Sequence, residues 1–230
     1  MAHFSVSVFS DSPEQARELL DRFCADWSAD SPYTVFFEDE DEEVDEVTGK
    51  RGYWENPDSR YDWFTIGGRW YGKLKLLPGR CGERGECPDP EWAATLEPDR
   101  CDIALAADCD FAMNRERYER AERFWAFAAE GDSRVRDDDG EEWEIFTPIR
   151  PERYQREFGS KENFARYQAQ FSTAAFISAD GKWYRGEHKD LFGNSGFYND
   201  MDREYEAAYN RALEEARAKG QYITIADCHF

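Results

Sequence analysis

The residues best suited to chemistry fall at two places far apart in the chain. Asp227, Cys228 and His229 put a carboxylate, a thiol and an imidazole at consecutive positions. If they face one pocket, they suffice for general acid/base or nucleophilic catalysis. The second place is 61–72, Tyr-Asp-Trp-Phe-Thr-Ile-Gly-Gly-Arg-Trp-Tyr-Gly, where aromatics, one acid and one arginine surround a Gly-Gly pair. There Arg69 suits forked pairing with a phosphate, the Gly67 and Gly68 amides suit an anion, and Trp63 or Trp70 offers a stacking face for a base. Each residue also has a purely structural reading. Arg69 pairs with Asp62 across a hairpin, the tryptophans fill a core, and Cys228 is an inert buried thiol.

Positioning these groups falls to a run of short elements. Phe4, Val6 and Val8 alternate with His3, Ser5 and Ser7, the pattern of a half-buried strand. A helix follows, with Ser12 as its cap and Pro13 in its first turn; Ala16, Leu19, Leu20, Phe23 and Trp27 recur along one stripe. A β-rich run at 33–37 leads into the acidic block 38–46, which self-repels and predicts a mobile loop over 38–56. Strand-like segments at 61–66 and 69–76 flank Gly67-Gly68, which predicts a hairpin turn; a loop that lets a ligand reach the backbone is the alternative. An insertion rich in Pro, Gly and Cys spans 78–109, and a helix is expected over 114–130. Two short helices divided at Gly159-Ser160 precede the hairpin 173–185, which carries Lys182 and Trp183. The polar loop 186–193 after it brings Glu187 as a further candidate ligand-binding residue. A long helix ending at Gly220 and a strand over 222–228 close the chain.

Hairpins require antiparallel pairing, so this order predicts a single α+β domain: a largely antiparallel sheet with helices mainly on one face, in an elaborated ferredoxin-like arrangement. There the first and last strands are antiparallel neighbours, which brings His3 near Asp227, Cys228 and His229. With Phe4, Ile223 and Ile225 pointing inward, alternation puts Asp227 and His229 on the core face, and Cys228 on the outer face with His3.

Composition narrows the partners. The 50 acidic against 29 basic residues give a net charge of −21, which opposes binding to nucleic acid or an anionic membrane. The same charge suits either solubility or docking on a basic protein surface. No apolar run is long enough to span a bilayer, and the first residues lack the pattern of a signal peptide, so a cytoplasmic location is expected. The six cysteines are then read as free thiols or metal ligands. Cys81 and Cys87, and Cys101 and Cys109, are spaced too widely for a usual zinc knuckle, so no metal or cofactor is assigned. A metal held by His3, His188, His229 and neighbouring Cys or Asp is a weaker alternative.

Four blocks in order resemble a family of hypothetical proteins common in tailed-phage and prophage genomes. They are the opening His-Phe-Ser-Val-Ser-Val; Asn56-Pro57 followed by Asp-Trp-Phe-Thr-Ile-Gly-Gly-Arg-Trp; Gly-Ser-Lys-Glu-Asn-Phe leading to Asp-Gly-Lys-Trp-Tyr; and the terminal Ile-Thr-Ile-Ala-Asp-Cys-His-Phe. One departure is Asp190-Leu191-Phe192-Gly193, where that family carries Gly-Trp-Trp-Gly or Gly-Trp-Phe-Gly. The resemblance supplies a context, not a reaction: an accessory protein of a phage, acting in the host bacterial cytoplasm. The expectation is a binder of a small phosphate-bearing or nucleotide-like ligand used in counter-defence. The alternative is an acidic inhibitor that docks on a host protein without catalysis.

Overall fold

The strand β1 (His3–Ser10) is covered on both faces: its serines Ser5, Ser7 and Ser10 are buried along with Phe4, Val6 and Val8. The computed structural model describes residues 3–130, 134–136, 142–144, 151–186 and 200–230. The chain continues through α1 (Pro13–Asp21), β2 (Val35–Glu38), β3 (Gly52–Glu55), β4 (Trp63–Ile66), β5 (Leu74–Lys75) and α2 (Pro90–Thr95). Next come β6 (Arg100–Cys101), β7 (Ile103–Leu105), α3 (Arg115–Glu130), β8 (Arg134–Arg136), β9 (Glu142–Glu144), α4 (Pro151–Phe158) and α5 (Lys161–Ala169). The last elements are β10 (Ala175–Ile177), β11 (Trp183–Arg185), α6 (Asp200–Lys219) and β12 (Tyr222–His229).

The fold is α+β, with a mostly antiparallel six-stranded sheet in the order β11-β10-β1-β12-β4, in which β7 also pairs with β12. β4 and β7 lie end to end on one edge of β12, β4 opposite 226–229 and β7 opposite 222–224. The one parallel pair, β1 with β10, departs from a ferredoxin-like sheet, in which all neighbouring strands are antiparallel. The expected neighbours β1 and β12 do pair antiparallel over their whole length, from His3 opposite His229 to Ser10 opposite Tyr222.

The helices cover both faces of this sheet rather than mainly one. Phe4, Val6, Val8, Ala226 and Cys228 pack with Ala16, Leu20 and Phe23 of α1 and its C-terminal end. On the opposite face Phe9, Ile223 and Ile225 pack with Tyr205, Tyr209, Leu213 and Ala216 of α6. Each aliphatic side chain fully buried this way contributes about 1.5–3 kcal/mol. The serines under α6 survive burial because they are bonded: Ser7 Oγ lies 2.9 Å from the Tyr209 hydroxyl, and the Thr173 hydroxyl donates to Ser7 Oγ at 3.0 Å. A third cluster joins α3 to α5 through Trp125, Ala129 and Phe164.

α1 starts as expected, with Ser12 accepting from the Gln15 amide and Pro13 in the first turn. It stops earlier than the apolar stripe suggests, and side chains distant in sequence bond the carbonyls at and just beyond its end. Tyr61 donates to Leu20 O at 2.6 Å, and the buried Asn56 amide donates to Arg22 O and Cys24 O. Trp27 therefore lies beyond the helix and is 65% exposed.

The acidic segment is structured, not the mobile loop its charge predicts. β2 and β3 form a hairpin whose far end is organised by Asp45, which accepts from the Val47 and Thr48 amides and from Trp54 Nε1. These bonds hold the Asp45 carboxyl below the usual aspartate range, the Thr48 amide being the largest cause. Among the described residues no helix is long and apolar enough to cross a membrane.

Candidate functional site

The hairpin expected at Gly67-Gly68 does not form, because β4 takes β12 as its partner and β5 pairs with β6. The chain instead turns out of the sheet at Gly67, with φ 87°, and enters a 3₁₀ turn, Gly68–Trp70, that lies over β12. Gly68 is required there: a Cβ on it would lie 2.4 Å from Asp227 Cβ and 2.6 Å from Asp227 Oδ2. Both glycine amides are already bonded, Gly67 N to Ile225 O and Gly68 N to Glu86 O, so neither serves an anion. The next amide, Arg69 N, donates to Asp227 Oδ2 at 3.0 Å.

That bond fixes one oxygen of a carboxylate that is 2% exposed. The other, Asp227 Oδ1, lies 2.9 Å from His3 Nδ1. A carboxylate only accepts, so Nδ1 carries the proton, and Nε2 has no hydrogen-bond partner among the described residues. This corrects the expected placement of His3 on the outer face with Cys228. In an antiparallel pair, directly opposite residues share a face, and the register sets His3 opposite His229 and Ser5 opposite Asp227. Ser5 and Ser7, read as a solvent face, are in fact a second buried face.

His229 completes the cluster. Its ring lies 4.8 Å from that of His3, edge to face, and is stacked on Trp63 at 4.7 Å and 17°. The ring is buried, and neither Nδ1 nor Nε2 has a hydrogen-bond partner among the described residues. Trp63 closes the triangle at 5.6 Å from His3 and is itself 43% exposed. β1 thus supplies the oriented imidazole, β12 the carboxylate and the buried imidazole, and β4 the indole.

The remaining sequence candidates divide. Arg69 is exposed, and among the described residues its guanidinium has no ion-pair partner, so the expected pairing with the exposed Asp62 is absent. Asp62 instead donates its amide to His229 O, at 2.7 Å, extending the β4–β12 ladder. Trp70 is half-buried against the α6-side core.

Cys228 faces the other way, wholly buried among Phe4, Ala226 and Tyr61, and burial pushes its thiol well above the usual range. The proposed catalytic triplet is therefore split by strand alternation, and Cys228 is not a nucleophile at this site. Trp183 is on the Cys228 face as well, packed on Phe23 at 5.4 Å and Tyr61 at 6.0 Å. Lys182 is exposed and paired with Asp180 at 2.8 Å. Glu187 and His188 lie outside the described residues. The sequence brings His3 beside this cluster through the β1–β12 pairing and offers it as a metal ligand, but on the wrong face and without a binding or catalytic role.

Among the described residues no group of three or more His, Cys, Asp and Glu is arranged to hold a metal ion. Cys101 and Cys109 are buried core thiols, each pushed up to about 12 by burial. Comparison with family models, curated proteins and solved structures finds no match.

Proposed function

We propose that this chain binds a small phosphate-bearing or nucleotide-like ligand at the end of the sheet where β1, β4 and β12 meet. The observation that carries the reading is His229, a buried imidazole with both nitrogens unpartnered among the described residues, clasped between His3 and an exposed tryptophan. A buried polar group left unpaired costs about 1–3 kcal/mol, so it calls for a partner from outside the chain, such as a ligand, an ion or a water. Beside it, Trp63 offers an exposed indole for stacking, and Arg69, without an ion-pair partner among the described residues, is anchored through its amide to the same Asp227 that orients His3. The resemblance to phage proteins makes nucleotide signals of host defence the first ligands to test. A thermal-shift series with nucleoside phosphates and cyclic dinucleotides tests the reading. Stabilisation that is lost in Arg69→Ala supports it, and no stabilisation by any of them counts against it.

A second reading, docking on a host protein, is favoured by the β2–β3 hairpin. It exposes Val35, Phe37, Val44, Val47 and Tyr53 among its acids, with Phe37 and Tyr53 stacked at 5.7 Å. Exposed aromatics ringed by carboxylates suit a basic partner with an apolar centre. Deleting the tip of the hairpin separates the two readings, because it removes docking and leaves ligand binding intact.

A further inference from the structure

We propose that the site also cleaves its ligand, with His3 as the general base in hydrolysis of a phosphoanhydride bond. This rests on the binding reading above and adds a reaction to it.

The two imidazoles are held differently. His3 is held by Asp227 through Nδ1 at 2.9 Å, and its side chain keeps 12% of its exposure, with Nε2 unbonded among the described residues. A histidine oriented by a carboxylate on one nitrogen presents the other as a base in a fixed direction. Asp227 is a positioning residue, itself fixed by the Arg69 amide and by the absence of a side chain at Gly68. His229 is closed off from solvent at both nitrogens, so it is poorly placed to exchange a proton at each turnover.

One solvent-reaching base without a cycling acid suits a leaving group that departs as an anion. That selects a phosphoanhydride, whose leaving group is a phosphate, over an alkyl phosphoester. In the step, a water gives one proton to His3 Nε2 while its oxygen bonds to phosphorus. The bridging P–O bond breaks, and its electron pair leaves on the bridging oxygen of the departing phosphate. His3 then releases the proton to solvent, so nothing is oxidised or reduced.

The test uses the full chain with ADP and GDP as probes, in the presence of magnesium chloride and in ¹⁸O-labelled water. Binding is followed by thermal shift and cleavage by ³¹P NMR. The expected result is stabilisation by the nucleotide, release of inorganic phosphate and one ¹⁸O per bond broken. His3→Asn keeps a side-chain nitrogen near the Nδ1 position, and should retain binding while losing about 10²–10⁴-fold in rate.

For Asp227→Asn, ring ¹⁵N shifts of His3 provide a readout that a merely structural role would not move. The Nδ1-protonated ring of the wild type should change tautomer, with a parallel fall in rate. Should His3→Asn not fold, this second variant carries the test. Binding without cleavage overturns the proposal and leaves the binding reading standing. Absence of both overturns the two together. Cleavage that His3→Asn or Asp227→Asn leaves unchanged overturns the role of His3.

Discussion

His3 and His229 stand directly opposite each other across the β1–β12 pair, with ring centroids 4.8 Å apart, although 226 positions separate them in the chain. Their neighbour Asp227 bonds to the first ring and to the backbone of the turn that follows β4. The site is therefore assembled by pairing of the central strands, and its geometry depends on how closely that turn approaches.

Gly68 sets the approach. Gly68→Ala places a Cβ within 2.4 Å of Asp227 Cβ at a residue with φ 57°, so either the turn or Asp227 must move. The expected loss is about 1–3 kcal/mol of stability, together with weakened ligand binding. Urea unfolding and the ring resonances of His3 check both parts.

Cys228 is expected to be dispensable for the site and needed for the core. Cys228→Ser exchanges a buried thiol for a hydroxyl on the Phe4 and Tyr61 side of the sheet, for about 1–3 kcal/mol of destabilisation. Ligand binding should be unchanged where the variant is folded. In native protein Cys228 should react with a thiol reagent far more slowly than the exposed Cys81.

How far the sequence carried this picture depended on the range of the interaction. The α+β class, the start of α1 and the break at Gly159-Ser160 followed from local periodicity and punctuation, and the neighbouring of β1 and β12 from the ferredoxin-like arrangement, although the parallel β1–β10 pair departs from it. The face carrying His3 did not, because alternating serines look like a solvent face and only α6, some 200 positions on, buries them. Nor did the turn at Gly67, since two strand-like segments around a Gly-Gly pair give no sign that each pairs elsewhere. The acidic hairpin was missed because charge counting cannot see Asp45 gathering the amides around it.

Trp63 and Arg69 should separate binding from stability. Both are exposed, so Trp63→Ala and Arg69→Ala should each change folding stability by under about 1 kcal/mol. Arg69→Ala should weaken a phosphate-bearing ligand about 10–100-fold, by loss of a charge-assisted bond, and leave the corresponding nucleoside unaffected. Trp63→Ala should weaken both. Calorimetric titration of each variant with nucleoside and nucleotide distinguishes them.

Asp102 gives a pH dependence with a defined sign. Its buried carboxylate accepts from Gly72 N at 2.7 Å and Gly85 N at 2.9 Å, yet burial outweighs those bonds and raises its titration above the ordinary aspartate value. A raised carboxyl stabilises the fold fully below the unfolded value, and that contribution is lost as pH rises through the folded one. Relative to Asp102→Asn, the wild type should therefore lose stability as pH climbs from the acid limit across this window. Paired urea melts at a series of pH values check it; a gain for the wild type over the same window would contradict the assignment.

The most direct measurement is a titration of ¹⁵N- and ¹³C-labelled protein with ADP, following the histidine ring and tryptophan indole signals by NMR. The account predicts that His229, His3 and Trp63 shift together and saturably, while Trp183, on the far face of the sheet, stays still. Saturable shifts at Trp183 with His229 and Trp63 unmoved would contradict it, as would no shift at any of them.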